Sequence, residues 1–472
     1  MIRVRFAPSP TGDLHVGNLR IAILNHLFAK KNKGRFVLRI DDTDIERNLP
    51  DGETRIFEQL KWTGIDWDEG PDRGGEFGPY RQSERIGIYE SFFEELKRKK
   101  LVYPCFCDDK TIEEMKIVQR LRKEPPHYDG RCFNLLAEEV ERLSHTRTPV
   151  WRFRILDRKE IVVRDFFRGE VAFRPVDLGG DFVVRRSNGS FMYNFTTVID
   201  DATMQITHII RGEDHLSNTA KQVAIYEALG LNPPQFIHVP LLLDHEGKKL
   251  SKREKSLTLS SLKKEGYTPE AIYFYLATLG WKKQPSRPLF PDELAEEFDL
   301  HSMGTSLLKW NENILAKWNE KFIKILDSEK LENYVEDTVS ERTKKFLFSI
   351  PRKRRLELLD LIKENVGNLR DFEKFIRIFY DDLPYEEECR KFIEKPLPLQ
   401  ECAPGNNILE ECLRVAEVRK IGKKKLFSFL RCILTGMMYG PPLQEIISFM
   451  EEDLIRKRWT RFWQEVRSGS KL

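Results

Sequence analysis

Residues 2–40 switch twice between two hydrophobic periods, and that switch limits the fold more than any other feature of the chain. Ile2, Val4 and Phe6 alternate with Arg3 and Arg5, the period-2 pattern of a strand. Pro8, Pro10 and Gly12 then interrupt the chain. Leu19, Ala22, Ile23, Leu27 and Phe28 recur at helical spacing, and residues 36–40 read as a second strand. Strand, crossover helix and strand make a βαβ unit, which calls for a parallel sheet. Such a sheet gathers its ligands at the carboxyl ends of the strands, here residues 7–9 and 41–44. The alternation leaves two readings open for Arg3 and Arg5, the solvent face of an edge strand or, for Arg5, a functional place beside the turn.

At 472 residues the chain exceeds what one hydrophobic core usually organises, so two to four packed units are expected. A second α/β stretch runs from about 181 to 243, with strand-like segments at 206–210 and 237–243. Residues 86–190 therefore read as an insertion between two halves of one sheet, at 1–85 and 191–245. From about 325 the pattern turns helical, with Leu356, Leu359, Ile362 and later Leu426, Phe429, Leu430 and Ile433 at helical spacings. That leaves 246–324 as a connecting domain and 325–472 as an all-helical region. The 79 basic and 75 acidic side chains nearly cancel, so a polyanion has to be met by local clusters. No apolar run approaches the ~20 residues that cross a bilayer, and the first residues lack a signal-peptide pattern, so a cytoplasmic protein is expected. Seven cysteines, odd in number and unevenly placed, argue against a secreted disulfide framework.

Two motifs carry the chemistry. The segment 8–18 joins the first strand to its helix and sets His15, Gly17 and Asn18 at a helix N-terminus. Free amides and the helix dipole there favour a phosphate, and a histidine can donate to developing negative charge. Further on, Lys249-Leu-Ser-Lys252-Arg253 follows the strand ending near Leu243, where lysines can neutralise a departing pyrophosphate. Either motif alone reads equally well as an ordinary polar loop.

Together, in this order, the segments HVGN and KLSKR resemble the two signatures of class I aminoacyl-tRNA synthetases. The strings RFAPSPTGDLHVGNLR, IDDTDIER, GPYRQSER, YPCFC, YNFTTVIDD and THIIRGEDHLSNT are similar in order and spacing to the bacterial glutamyl-tRNA synthetase family, over nearly the whole chain. The resemblance implies an α/β fold with a Rossmann-type parallel-sheet catalytic domain, an inserted acceptor-binding domain, a stem-contact domain after the KLSKR loop and an all-α anticodon-binding region. It implies ATP, arriving with Mg²⁺, and L-glutamate as substrates. Arg5 and Arg211 would hold the acidic substrate, with Ser9, Asp41 and Tyr193 lining its pocket. A guanidinium fork binds a carboxylate bidentately and gains less from a neutral amide, which fits glutamate over glutamine. Most relatives carry Glu at position 41, so Asp41 shortens the reach to the substrate ammonium. Glu213 falls at the adenosine position, while His15, Gly17, Asn18, Lys249 and Lys252 fall at the phosphate sites, and His15, Asn18, Lys249 and Lys252 are the catalytic candidates. The length of the helical tail argues against the short tRNA-modifying relative; an inactive RNA-binding paralogue stays open.

Cys105, Cys107 and Cys132 resemble a zinc pattern of some family members, with Tyr128 at the position of a tyrosine ligand and Asn134 where a histidine version would place its ligand. Structural zinc needs four ligands. The residues leave two readings open, one structural Zn²⁺ or three reduced thiols. The tRNA partner, tRNA(Glu) with tRNA(Gln) left open, would meet Asp44 and Arg47 of the acidic run. It would also meet Arg352, Arg354, Lys423, Lys424 and Arg458 in the helical region, where Trp459, Phe462 and Trp463 could stack on bases if exposed. A monomer without membrane contact is expected.

Overall fold

The computed structural model describes residues 1–244, 247 and 257–468. The chain divides into two units: Met1–Ser261 with Tyr273–Asn311, and Leu262–Ile272 with Glu312–Leu472. This division cuts through the stretch 246–324 that the sequence suggested as one domain.

In the first unit the strands are β1 (Arg3–Phe6), β2 (Arg35–Leu38), β3 (Val102–Cys105), β4 (Val150–Phe153), β5 (Ile161–Asp165), β6 (Gly169–Phe173), β7 (Phe182–Arg185), β8 (His208–Gly212), β9 (Gln235–Val239), β10 (Leu242–Leu243) and β11 (Leu308–Lys309). β1 and β2 pair in parallel from Arg3 opposite Arg35 to Phe6 opposite Leu38, joined by the helix Val16–Lys31. Beside β1 lies β8, whose entry is tied by Thr207 N to Arg3 O at 2.9 Å and by Arg3 N to Thr207 Oγ1 at 2.9 Å. β8 and β9 are parallel, bridged by the helix Leu216–Leu229. β1 and β2 form a two-stranded sheet and β8 and β9 belong to a four-stranded one, the two linked through Arg3 and Thr207.

Two findings depart from the sequence reading. The antiparallel hairpin β5–β6, inside the supposed insertion, docks on β9 through Asp165 opposite Phe236 and completes a four-stranded sheet with β8 and β9. Only β3, β4 and β7 form a sheet of their own within 86–190. Second, Arg3 and Arg5 are buried, not the solvent face of an edge strand. Burying a guanidinium is tolerated only with a partner. Glu69 supplies one for Arg3 at 2.6 and 2.9 Å, and Asp201 one for Arg5 at 3.1 and 3.3 Å.

The second unit is helical around one apolar core that includes Leu358, Leu359, Ile362, Leu426, Phe429, Leu430 and Ile433. Leu356 is only half-buried. Asp327 and Ser340 cap the helices Ser328–Thr338 and Glu341–Ser349 by accepting from Lys330 N and Thr343 N, satisfying amides that a helix start leaves open. Helix Lys423–Thr435 ends on Gly436 at φ 75°, where an added Cβ would lie 2.8 Å from Pro384 O, so only glycine closes that turn. Cys389 and Cys432, both buried, are joined as a disulfide with Cα atoms 5.3 Å apart, a link within the helical core and not a framework. No described helix is long and apolar enough to cross a membrane.

Candidate active site

A cleft of roughly 610 Å³ opens at the strand ends of the first unit. Its wall includes Arg5, Ser9, His15, Gly17, Asn18, Asp41, Tyr193 and Arg211, so residues separated by two hundred positions meet in one place. His15 is the N-cap of helix Val16–Lys31, and its Nδ1 accepts from Gly17 N at 3.3 Å. The first turn of that helix carries no acidic residue, which leaves the positive end of the dipole facing the cleft unopposed by its own helix. Lys249 and Lys252 lie outside the described residues. Glu213 does not line the cleft. Its carboxylate pairs with Arg168 and accepts from Leu241 N at 3.3 Å.

Under the cleft floor lies an ionic cluster that sequence reasoning only glimpsed. Arg39 grips Asp41 with Nε–Oδ1 2.7 Å and Nη2–Oδ2 3.3 Å, and its Nη1 reaches Asp201 at 2.7 Å. Asp200 takes Arg85 at 2.6 Å, Gln82 at 2.7 Å and the Tyr89 hydroxyl at 2.9 Å. Arg5, Arg39 and Arg85 therefore face Asp41, Asp200 and Asp201, three charges of each sign. Burial would lift the Asp201 carboxyl, but Arg5 and Arg39 outweigh it and hold the group below the usual carboxylate range. For Asp41 burial wins over Arg39, and its carboxyl rises to about 6. Asp200 and Asp201, in the last turns of the helix Tyr193–Thr203, are both fully buried. The readable signal was an arginine in the apolar run 36–40 together with two adjacent acids in the apolar segment 193–201.

Arg211 is different. Its Nη2 donates to Thr219 Oγ1 and Gln222 Oε1, both at 2.6 Å, its Nε faces His238 Nε2 at 3.5 Å, and its Nη1 donates to the Tyr193 hydroxyl at 3.5 Å. Among the described residues no carboxylate pairs with it, although it is buried, and burial depresses its pKa. Tyr193 also meets His215 Nδ1 at 3.3 Å. Burial and then Arg211 lower His215 to about 4, so that ring is neutral at physiological pH. Thr197, absent from the sequence candidates, lines the cleft with a buried hydroxyl that has no partner among the described residues. It sits one helical turn after Tyr193, the spacing that could have revealed it.

The acidic run does not share one site. Asp41 belongs to Arg39, Asp42 accepts from Ser83 N at 2.8 Å and Oγ at 2.6 Å, and Asp44 pairs with Arg47 at 2.6 Å on the surface. The cysteine cluster is assembled: the three Sγ atoms lie within 4.8 Å of one another, Cys107 and Cys132 are 3.5 Å apart, and the Tyr128 hydroxyl stands 3.2 Å from Cys105 and 3.8 Å from Cys107. Asn134 lies just beyond, in the turn Arg131–Asn134.

In the helical unit Arg352, Arg354, Lys423 and Lys424 are exposed. Arg352 pairs at 3.4 Å with Glu329 and Glu332, and Arg354 donates to Ser448 O at 2.9 Å. Arg458 corrects the sequence expectation. It is 2% exposed and donates to the carbonyls of Leu434 and Asp381, so no phosphate can reach it as the bundle stands. Its neighbours Trp459, Phe462 and Trp463 are core residues, leaving no stacking surface. Helix Glu452–Ser468 turns Arg458 inward with its aromatic residues while Arg456 and Lys457 stay exposed, a division that linear charge counting cannot anticipate.

A parallel sheet with a histidine-capped phosphate end and buried guanidiniums beside it defines a nucleotide-using ligase of the Rossmann type. The family model for class I tRNA synthetases (E and Q), catalytic domain, matches residues 1–317, and an anticodon binding domain matches 329–462; the chain belongs to this synthetase family. It is similar to the glutamate–tRNA ligase of Natranaerobius thermophilus, 39% identical over 95% of each chain, and to that of Bacillus subtilis, 37% identical over 97% of this chain and 98% of the other. A crystal structure of a glutamate tRNA ligase from Elizabethkingia meningosepticum, in complex with its amino acid, superposes with a TM-score of 0.84 at 30% identity, covering 98% of this chain and 99% of that one.

Proposed function

We propose that the chain is a glutamate–tRNA ligase, and that the carrying observation is the surplus positive charge on Arg211. The cluster is balanced, and beyond it two buried guanidiniums of the cleft wall have no carboxylate partner among the described residues: Arg211, and Arg20, which donates to Pro240 O and Leu279 O. Glutamate as a zwitterion carries one net negative charge and glutamine none, so only the former brings a charge to match Arg211, leaving Arg20 to the nucleotide. In this reading a glutamate carboxylate oxygen attacks the α-phosphorus of ATP, an acyl–phosphate bond forms, and pyrophosphate leaves. The terminal adenosine hydroxyl of tRNA then attacks the acyl carbon and AMP departs. His15 and the amides of Gly17 and Asn18 would receive phosphate oxygens, Ser9, Thr197 and Tyr193 would frame the amino acid, and Lys249 and Lys252 would act on the pyrophosphate. Mg²⁺ would arrive with ATP. Glu213, held by Arg168, would shape the adenosine end through the backbone at Leu241. Positioning and charge supply the acceleration, with no covalent enzyme intermediate. The same reading includes a monomer acting in the cytoplasm.

Aminoacylation with purified tRNA isoacceptors for glutamate and glutamine tests this. Charging of tRNA(Glu) with glutamate and not glutamine is expected; absence of charging on either tRNA overturns the reading, and the tRNA(Gln) arm shows whether that acceptor is also used. Asp41 would receive the substrate ammonium, and its carboxyl at about 6 sets the pH dependence. Below that value it gains a proton and loses its charge, so the KM for glutamate should rise ~10-fold per pH unit. D41N should have a high, pH-independent KM, and a wild-type KM flat from pH 7 to 5 would remove Asp41 from this role.

For tRNA, the first turn of helix Lys423–Thr435 supports a phosphate contact. Helix starts favour acids, yet Lys423, Lys424 and Lys425 add positive charge to the positive dipole end, a field that an anionic backbone would relieve. Arg352 and Arg354 would extend it, and Asp44 with Arg47 would reorganise from a weak surface pair.

The thiol cluster fits one structural zinc. Cys105, Cys107 and Cys132 would hold the ion through three sulfurs that lie within 4.8 Å of one another, and the Tyr128 oxygen, 3.2 Å from the Cys105 sulfur, would be the fourth ligand. Metal analysis of purified protein should give one zinc per chain, lost in C132S together with several degrees of thermal stability. A chain free of zinc after growth in zinc-supplemented medium would leave the three thiols simply reduced.

A further inference from the structure

Arg211 is held by neutral groups in a fixed orientation, which raises the question of what keeps them neutral. His238, on β9, is fully buried, and its Nδ1 lies 2.7 Å from Asp165 Oδ2 at the end of β5. That oxygen also accepts His238 N at 3.0 Å, while Asp165 Oδ1 accepts Phe167 N and Arg168 N, each at 3.0 Å. A carboxylate surrounded by donors repels a lone pair, so Nδ1 must carry the hydrogen. Nε2 is then an acceptor. It lies 2.8 Å from Thr219 Oγ1 and 3.5 Å from Arg211 Nε; Thr219 Oγ1 accepts from Arg211 Nη2, and its one hydrogen has two acceptors in reach, His238 Nε2 at 2.8 Å and His215 O at 3.0 Å. The other tautomer fails twice, setting a lone pair against Asp165 and an N–H against the guanidinium.

We propose that Asp165 and His238 are a positioning pair that locks the imidazole as its Nδ1–H tautomer, so that Arg211 is aimed by a neutral acceptor and keeps its charge for the substrate carboxylate. A carboxylate in direct contact would aim Arg211 equally well but cancel that charge. One imidazole of separation gives orientation without neutralisation. Gln222 completes the arrangement, accepting from Arg211 while its own amide donates to Asn194 Oδ1 at 3.2 Å. Asp165 sits on the hairpin β5–β6 and His238 on β9, which gives the hairpin, read from sequence as part of an insertion, a place in substrate recognition. The inference rests on the assignment of Arg211 to glutamate binding above.

Asp165→Asn separates the possibilities. Asparagine keeps the volume and an oxygen for Phe167 N and Arg168 N, but offers an amide hydrogen to Nδ1 and drives the ring to the Nε2–H form. In aminoacylation the KM for glutamate should rise roughly tenfold or more, with the KM for ATP and kcat changed less than about threefold. Nitrogen-15 spectra of histidine-labelled protein, with His238→Gln locating the signal, should show the tautomer reversed. An unchanged glutamate KM with a reversed tautomer overturns the pair, as does a fall in kcat at constant KM. Wild-type protein that charges no glutamate would sink the functional reading itself, a different result. Should D165N not fold, His238→Gln is read the same way: a glutamate KM equal to wild type overturns the inference.

Discussion

Arg211→Gln is expected to lower kcat/KM for glutamate by roughly 10³-fold while leaving the KM for ATP within about twofold. The size follows from removing a buried charge that would meet an ionised ligand group, a change that typically costs two to four powers of ten in such a setting. Glutamine at 211 can still bond Thr219, so the cleft should keep its shape. Two further results should accompany the loss. Discrimination against free glutamine should shrink, because the pocket no longer penalises a neutral ligand. Thermal stability should stay level or rise, because Arg211 is buried without a carboxylate partner and its removal relieves a desolvation cost. A loss below about tenfold, or an equal loss toward ATP, would place the acidic recognition elsewhere.

Asp201→Asn is expected to act on the fold. Asp201 is fully buried and takes Arg5 at 3.1 Å and Arg39 at 2.7 Å. Removing one partner of a buried pair leaves an uncompensated charge, which typically costs about 3–5 kcal/mol. In a unit of this size that is a Tm lowered on the order of 10 °C. The pH behaviour carries a sign. The folded carboxyl lies below its usual value of about 3.8, so its contribution is complete above that value and lost as pH falls through the folded one. The deficit of D201N should therefore be constant from pH 5 to 8 and narrow only below about pH 4. Melting curves that coincide with wild type at pH 7 would show that Arg5 and Arg39 find other partners.

These outcomes separate what was legible early from what was not. Arg5, Asp41, Tyr193 and Arg211 were readable as pocket residues because each sits at a strand end or helix start within a recognisable string. Asp201, Thr197, Asp165 and His238 were not, since each acts through a partner between 19 and 196 positions away or through an enclosure that only folding creates. Arg458 shows the opposite error: its RKR setting reads as a surface stripe, and only the packing of helix Glu452–Ser468 turned it inward to carbonyl groups.

The sequence by itself determined the βαβ start, the helical last third, the phosphate-facing turn at His15 and the family to which the chain belongs. These depend on local period, on turn chemistry and on the order of short motifs. The tertiary structure alone decided that β5–β6 joins β8 and β9 in one sheet, that Arg5 is neutralised by Asp201, and that Arg211 is left charged among neutral groups. The reason is physical: a side chain's charge and donors are written in the sequence, but whether a charge is compensated depends on which distant groups share its low-dielectric surroundings once the chain has folded.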